Sequence, residues 1–550
     1  MTLLRDASCA KTAYDYIVVG AGSAGAALAA RLSEDSAVSV LLVEAGGRDN
    51  HPLQLVPLTF LKLVFNPRGT WQYESEPERE LSGRRLRIPR GRALGGTSSI
   101  NAMIAVRGNA RDYDRWREQG LVGWSYADVL PYFKRLENSW RADGKYHGDR
   151  GPVAITPVGD RDYLFDPLIA AAAAAGVPVC DDPSGPSQDG IARMEATIGD
   201  GKRASTARAY LYPAMARPNL TILIKTLVTR VRVERGRAVG VECQMQGGVA
   251  TILAEREVIL SGGTYNSPQL LMLSGIGPAD HLKSVGVTPV HNLPGVGENL
   301  AEHPNFLNAY AMKRKLGLTR RLRFDRAVLA LGEWYATQGG PFAFNGASAN
   351  VFLRTVDGLD RPDVQLVIMP ISNTAALWMP GLTAKPAYNI TVRVGALHPQ
   401  SRGWVKLRSA DPSDKPRIAF NMYQDPADLA TMARAVRATR AIFRQSPLKE
   451  LVDREVAPGP AIESDDDLFG AIRAASDHRS HPVGTCRMGL DAGAVVDASL
   501  RVRGIEGLRV ADASIMPDLP SGNTNLPSIM IGEKAADLVR GRNFFEEKHG

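Results

Sequence analysis

A short apolar run from Tyr14 to Val19 ends on Gly20-Ala21-Gly22-Ser23-Ala24-Gly25, and this junction restricts the fold more than any other stretch of the chain. Three glycines at that spacing permit a tight turn, close approach of the main chain to a pyrophosphate, and close seating of a helix on a strand. An alanine-rich stretch then runs to Leu32, and a second apolar run, Val38 to Val43, ends at Glu44. Strand, helix and strand in that order form a right-handed crossover unit, whose first turn sets dinucleotide phosphates against a helix N-terminus. Glycines also serve plain helix packing. Here the flanking elements are right, and a carboxylate about 20 residues on is placed for the ribose hydroxyls. Gly20, Gly22, Ser23, Ala24, Glu44 and Ala45 are therefore expected to bind cofactor. The fingerprint does not separate FAD from NAD, because both carry the same adenosine half.

Beyond it the pattern changes. From Val228 the short alternating segments VTRVRVE, AVGVECQ and ATILAEREVILSGG suggest an antiparallel meander that returns to the sheet. DVQLVIMP and YNITVRVGAL read as strands of a covering domain, GLRVADAS as a late buried strand, and 527–540 as a helix opening with proline. The alanine run 170–175 reads as a packed helix. The expected class is α/β: a Rossmann-like FAD-binding domain, discontinuous in sequence (1–157, 200–307 and 477–550). A substrate-binding domain (158–199 and 308–476) is expected to be built on an antiparallel sheet with helices, an α+β cap.

Composition narrows the function classes. The 550 residues are 44% apolar and 23% charged, with no stretch approaching the roughly 20 apolar residues of a membrane helix. The net charge of +8 comes from dispersed arginines without a basic run, which argues against a nucleic-acid partner. Cys9, Cys180, Cys243 and Cys486 lie far apart without paired spacing, so neither a disulfide framework nor a metal site is expected. Reduced thiols fit the cytoplasm, with peripheral attachment to the inner membrane if electrons go to a quinone. Residues 1–13 carry charge and no apolar core, and read as a short extension.

Four further segments decide the cofactor: PRGRALGGTSSINAMIAVRG (89–108), GGTYNSPQLLMLSGIG (262–277), HPVGTCRMG (481–489) and DASIMPDLPSGNTNLPSIMIGEKAADL (512–538). Together, and in order, they resemble the glucose-methanol-choline family of flavin oxidoreductases from Tyr14 to Arg540. The resemblance implies FAD. Gly95, Gly96, Thr97 and Ser98 offer small residues, free N–H groups and hydroxyls that suit a flat ring pressed on the main chain. In the family this loop lies against the flavin, which adds Arg92, Asn101, Ala102 and Met103 to the expected cofactor site. Some members bind FAD covalently through a histidine in the loop; this chain has Ile100 there, so non-covalent FAD is expected. The same resemblance places Val228 near the adenine, Asp512 and Ala513 near the ribityl or pyrophosphate, and Asn525 on the cofactor side, with an Asx turn as the plainer reading of Asn525.

His481 heads the H-P-V-G-T segment, and imidazole suits removal of an alcohol proton near neutral pH. The resemblance sets this histidine over the flavin, assisting hydride transfer to N5, with Asn523 as its partner at the second active-site position. Asparagine can donate to or accept from the substrate oxygen but is no base. A small-molecule primary alcohol is the implied substrate, oxidised to the aldehyde, with oxygen or a quinone-type acceptor taking the electrons. Choline-oxidising members carry a glutamate where this chain has Asn305, which disfavours choline. Met369, Pro370, Trp378 and Met379, with Trp71 at the entrance, suggest an apolar pocket for an uncharged alcohol. The alternatives are a hydroxynitrile-lyase-like flavoprotein on the same scaffold, a choline dehydrogenase, and a flavin-binding protein without chemistry.

Overall fold

The computed structural model describes residues 11–159, 164–245 and 248–542. Residues 1–10, and with them Cys9 and most of the N-terminal extension, lie outside that description. Ala13–Val19 lies parallel to Val40–Val43 through the helix Ser23–Leu32, as the glycine junction requires. Leu220–Leu223 extends the parallel set on the far side of Val40–Val43. On the other side lies Gly248–Leu260, whose first half pairs antiparallel with Arg237–Met245 while its second half runs parallel to both Ala13–Val19 and Leu508–Val510. Leu227–Glu234 completes the meander.

Two glycines of the fingerprint are dictated by geometry. Gly20 has φ +101°, and a Cβ there would sit 2.4 Å from the Ser261 carbonyl oxygen; a Cβ on Gly25 would sit 2.0 Å from the Gly20 oxygen. Helix Ser23–Leu32 is made of small residues on both flanks, and helix Asn525–Arg540 lies directly against it. At their crossing, a Cβ on Gly532 would lie 2.3 Å from the Ala24 oxygen. Glu533, buried beneath this pair, accepts from Arg31, Arg135 and Tyr210. Removing one partner of such a buried set would strand charge at a cost of several kcal/mol, about 3–5.

A second sheet covers the first. Its order is Gly190–Arg193, Ala349–Leu353, Val364–Met369, Asn389–Ala396, Pro304–Met312 and Val452–Ala457, all antiparallel. The short strand Asp477–His478 pairs with the start of Pro304–Met312, beside the active-site segment. Register puts Val367 opposite Arg393 and Gln365 opposite Gly395, so one row of side chains from this sheet looks toward the dinucleotide fold. The helices Phe165–Ala174, over the alanine run, and Pro426–Phe443 pack on the same layer through the apolar cluster around Leu168, Val392 and Val436.

Candidate active site

The site grows from main-chain ends. Helix Ser23–Leu32 begins at Gly22 with no side-chain cap and no acid in its first turn, which leaves its first N–H groups free for an anion. A groove of about 180 Å³ opens there, lined by Gly20, Gly22, Ser23, Ala24, Glu44, Ala45, Gly96, Thr97, Val228, Asp512 and Ala513. Glu44 is buried, and its carboxylate accepts from the N–H groups of Ala21 (2.9 Å) and Gly46 (2.8 Å). Burial pushes its pKa up to about 6 against those hydrogen bonds. Each oxygen keeps a lone pair for a further donor such as a ribose hydroxyl.

The groove continues into a larger cavity of about 480 Å³, and Ser23, Thr97, Ala513 and Ser528 line both. Its walls include Asn101, Ala102, Met103, His481, Asn523 and Asn525. Helix Asn525–Arg540 points its N-terminus here, and Thr524 provides no side-chain cap, so the helix dipole favours negative charge in the cavity. Ser23 Oγ donates to Asn525 Oδ1 (2.8 Å) and ties the two helix starts together. The loop Ser98–Asn101 is held from below by Arg203, whose guanidinium donates to the carbonyls of Ser98 and Asn101 and to Asn101 Oδ1. Arg203 is 2% exposed with no carboxylate against it, and burial lowers its pKa to about 9. A long cleft with two free helix starts, a carboxylate at one end and flat small residues at the other fits a flavin dinucleotide.

His481 is aimed by a strained turn. Ser480 adopts φ +63°, its N–H donates to His478 Nδ1 (3.0 Å), and its carbonyl accepts from Arg90 (3.0 Å). His481 then meets Asn523 Nδ2 through Nε2 and His303 Nδ1 through Nδ1, each at 3.0 Å. Two independent chains fix which nitrogen carries the proton. The Leu397 carbonyl accepts from His303 Nε2 (2.9 Å), so His303 Nδ1 is an acceptor and His481 Nδ1 must be the donor. From the other side, Arg479 can only donate. It holds Gln365 Oε1 (2.6 Å) and so turns Gln365 Nε2 to Asn523 Oδ1 (3.3 Å), which aims Asn523 Nδ2 at His481. Both chains leave a lone pair on His481 Nε2, where a base is needed.

Electrostatics agree with this. Burial holds the His481 pKa well below 6.5, reinforced by His303, Arg479, Arg90 and Arg393. Burial and Arg479 push His303 down to about 3. The imidazoles are neutral at physiological pH, which keeps the His481 Nε2 lone pair unprotonated.

Behind them Glu302 is buried, with Oε1 accepting from the His481 N–H (2.8 Å) and Oε2 without a hydrogen-bond partner. Burial raises its pKa from 4.5 to about 8. Between those values the folded chain binds a proton that the unfolded chain has lost, so stability from this group falls as pH rises, at roughly 1.4 kcal/mol per unit. Glu302→Gln is expected to flatten the pH dependence of unfolding across that window and to raise stability at its alkaline end. Denaturant titrations at the two ends check this; an unchanged slope refutes it.

Most of the cofactor residues read from sequence line the cleft. Gly95, Ser98 and Arg92 stand one layer behind it. Gly95 donates to the Ala21 carbonyl, Ser98 Oγ is bonded to Gly95 and Thr206, and Arg92 stacks on Trp71 at 4.3 Å with its Nε unpartnered. The expected substrate wall needs correction. Trp71 lines the dinucleotide groove, and Met369 packs behind the cavity against Met103 and Val367. Trp378 bridges to Arg323 on a peripheral loop, and Asn305 is buried in strand pairing with Asp477. The observed wall is Phe60, Leu61, Val64 and Phe65 at the mouth, with Val367 and a set of arginines inside. His303, Gln365, Arg393 and Arg479 were not singled out from sequence. His303 stands two residues before Asn305, but only the folded structure shows its ring against His481.

A family model described as GMC oxidoreductase matches residues 14–305, and its C-terminal counterpart matches residues 399–532. The "Oxygen-dependent choline dehydrogenase" of Rhizobium johnstonii is 42% identical over 530 residues, covering 96% of each chain. That of Brucella anthropi is 43% identical over 532 residues, with the same coverage. Among solved structures, pyridoxine 4-oxidase from "Mesorbium loti" aligns with TM-score 0.86 at 30% identity, covering 96% of this chain and 99% of that one. A formate oxidase of Aspergillus oryzae aligns with TM-score 0.90 at 28% identity, covering 96% and 98%. With both halves of the family model matched and relatives of this identity spanning nearly the whole length, the chain belongs to the GMC oxidoreductase family, whose members bind FAD and act on CH–OH donors.

Proposed function

We propose that this chain oxidises a primary alcohol to the aldehyde, with His481 as base. The observation that carries the reading is the doubly enforced lone pair on His481 Nε2, which meets Asn523 inside the cavity. Bound FAD supplies a two-electron acceptor for the hydrogen on the carbinol carbon. The remaining work falls to side chains. An entering hydroxyl exchanges the direct His481–Asn523 contact for a bridged one, donating to His481 Nε2 while its oxygen accepts from Asn523 Nδ2. His481 then holds the proton, and the charge it gains is shared through Nδ1 with His303. Gly96, Thr97, Asn101, Ala102 and Met103 are proposed as the flavin-side seat, with Gly95, Ser98 and Arg92 supporting it from behind, and the flavin is held non-covalently since Ile100 offers no nucleophile. Oxygen is a natural acceptor for the electrons, and a quinone is the alternative.

Anaerobic mixing of the holoenzyme with a panel of primary alcohols tests the reading: the flavin band should bleach, and added oxygen or a quinone analogue should restore it. Cyanohydrin cleavage without bleaching would favour a lyase. Choline is a second reading, favoured by the name of the Rhizobium and Brucella relatives.

As a positioning residue, His303 has its own signature. His303→Leu is expected to lower the rate of flavin reduction about tenfold with FAD retained. In a His481→Ala background it should change the rate little, because its effect runs through that ring. Additive losses in the double variant would assign His303 a separate role.

A further inference from the structure

The cavity over the catalytic pair carries a charge that proton removal does not require. Arg84, Arg85, Arg87, Arg90, Arg393 and Arg479 line it, against a single lining carboxylate, Asp477. Most of these cations are already engaged. Arg84 donates to the carbonyls of Arg473 and Ser476, Arg85 to that of Ser75, and Arg90 to that of Ser480. Arg479 donates to Gln365 Oε1 and to the carbonyls of Gln365 and Arg393. Arg87 and Arg393 differ: neither guanidinium makes a hydrogen bond among the described residues or has a carboxylate within 4.0 Å. Arg87 is exposed to solvent, whereas Arg393 is half-buried, with Asp477 attracting it at longer range. Arg393 stands on the cap strand Asn389–Ala396, opposite Val367, on the row that also carries Gln365 to Asn523.

We propose that the substrate is an anionic alcohol, a hydroxycarboxylate whose carboxylate is received by Arg393 while its carbinol meets His481 and Asn523. The proposal rests on the role given to those two residues above. A half-buried guanidinium with five donors and no acceptor is a costly group to keep empty-handed, and its planar fork matches a carboxylate in a bidentate pair. Burial lowers the pKa of Arg393, and that of Arg479 to about 9, which is the mark of cations lacking an anion in the folded chain. The neutral imidazoles of His303, His478 and His481 add no counter-charge, and Glu302 is held protonated near neutral pH. A quaternary ammonium entering this cavity would meet like charge at every turn. The apolar mouth of Phe60, Leu61, Val64 and Phe65 suits a methylene chain, with Leu61 40% and Phe65 56% exposed at the opening.

The experiment compares, in the FAD-loaded enzyme, ω-hydroxycarboxylates from glycolate to 6-hydroxyhexanoate with alkanols of matched length, with choline, and with 3-hydroxypropyl phosphate. The best hydroxycarboxylate is expected to reduce the flavin with kcat/KM about a hundredfold above its matched alkanol, and choline to fall below both. Arg393→Met should erase that preference, mainly through the KM of the hydroxycarboxylate, with Arg393→Lys intermediate. Independently of turnover, pentanoate should perturb the absorbance of the oxidised enzyme with an affinity about thirtyfold weaker in Arg393→Met. Preference for the alkanol or choline, or an equal loss for every substrate in Arg393→Met, overturns the proposal while leaving alcohol oxidation standing. A superior phosphate ester keeps the anionic site and replaces its carboxylate. Failure of every alcohol to bleach the flavin overturns both readings.

Discussion

His481→Ala is expected to retain FAD and to lose flavin reduction by at least about a hundredfold. The ring sits at the meeting point of two hydrogen-bond chains, Leu397–His303 and Arg479–Gln365–Asn523, both of which come in from the antiparallel sheet. Alanine removes the ring on which both converge, its Nδ1 donor and its Nε2 acceptor together. It removes little of the cofactor's seat, because the groove residues Gly20, Gly22, Glu44 and Asp512 are untouched. Stopped-flow mixing under anaerobic conditions measures the loss, and the flavin-to-protein absorbance ratio measures retention. A near-normal reduction rate would take the base role from His481.

The second large effect separates binding from folding. Gly22 has φ −76° and ψ −163°, which any residue adopts, and no atom lies within 4 Å of the Cβ it lacks. Its open side faces the groove where the pyrophosphate is to lie. Gly22→Val should therefore give a folded apoprotein whose affinity for FAD falls by at least about a hundredfold, a steric exclusion at a position that needs the main chain bare. Gly25→Val should fail differently, since its Cβ would lie 2.0 Å from the Gly20 oxygen and must push strand from helix. Fluorescence titration with FAD and thermal melts of the apoproteins distinguish the two. Normal FAD binding by Gly22→Val would place the phosphates elsewhere.

Legibility in the sequence followed the range of the interactions. The strand–helix–strand unit around Gly20 is set by residues within one short stretch, and the structure reproduces it with Glu44 at the end of its second strand. The meander from Leu227 and the return strand Leu508–Val510 were also readable, because alternation and burial leave local marks. The last helix starts at Asn525, two residues before the proline that announced it, since Pro527 occupies the first turn, where a missing N–H costs nothing. The pocket wall was not readable. Arg393 lies in YNITVRVGAL as one polar residue of an alternating strand, a pattern that ordinarily marks a solvent face. Only the register against Val367, and the presence of a second fold beneath, turns that face inward. Trp378 and Met369 were chosen by chemical type, and type alone does not say which layer a side chain joins.

The strand Gly248–Leu260 has a consequence for biosynthesis. Its neighbours in the first sheet, Ala13–Val19 and Leu508–Val510, come from opposite ends of the chain. The dinucleotide fold is thus closed by a segment made long after the glycine turn, and the helix Asn525–Arg540 that seals it follows later still. Contacts of such long sequence separation form slowly and leave sheet edges exposed while they wait. A nascent chain halted before Leu508 would display the glycine turn and yet lack the strand and helix that complete the flavin's seat. Cofactor capture is therefore expected only after synthesis has passed the helix Asn525–Arg540, and until Leu508–Val510 is made the edge of Gly248–Leu260 that it will cover stays open.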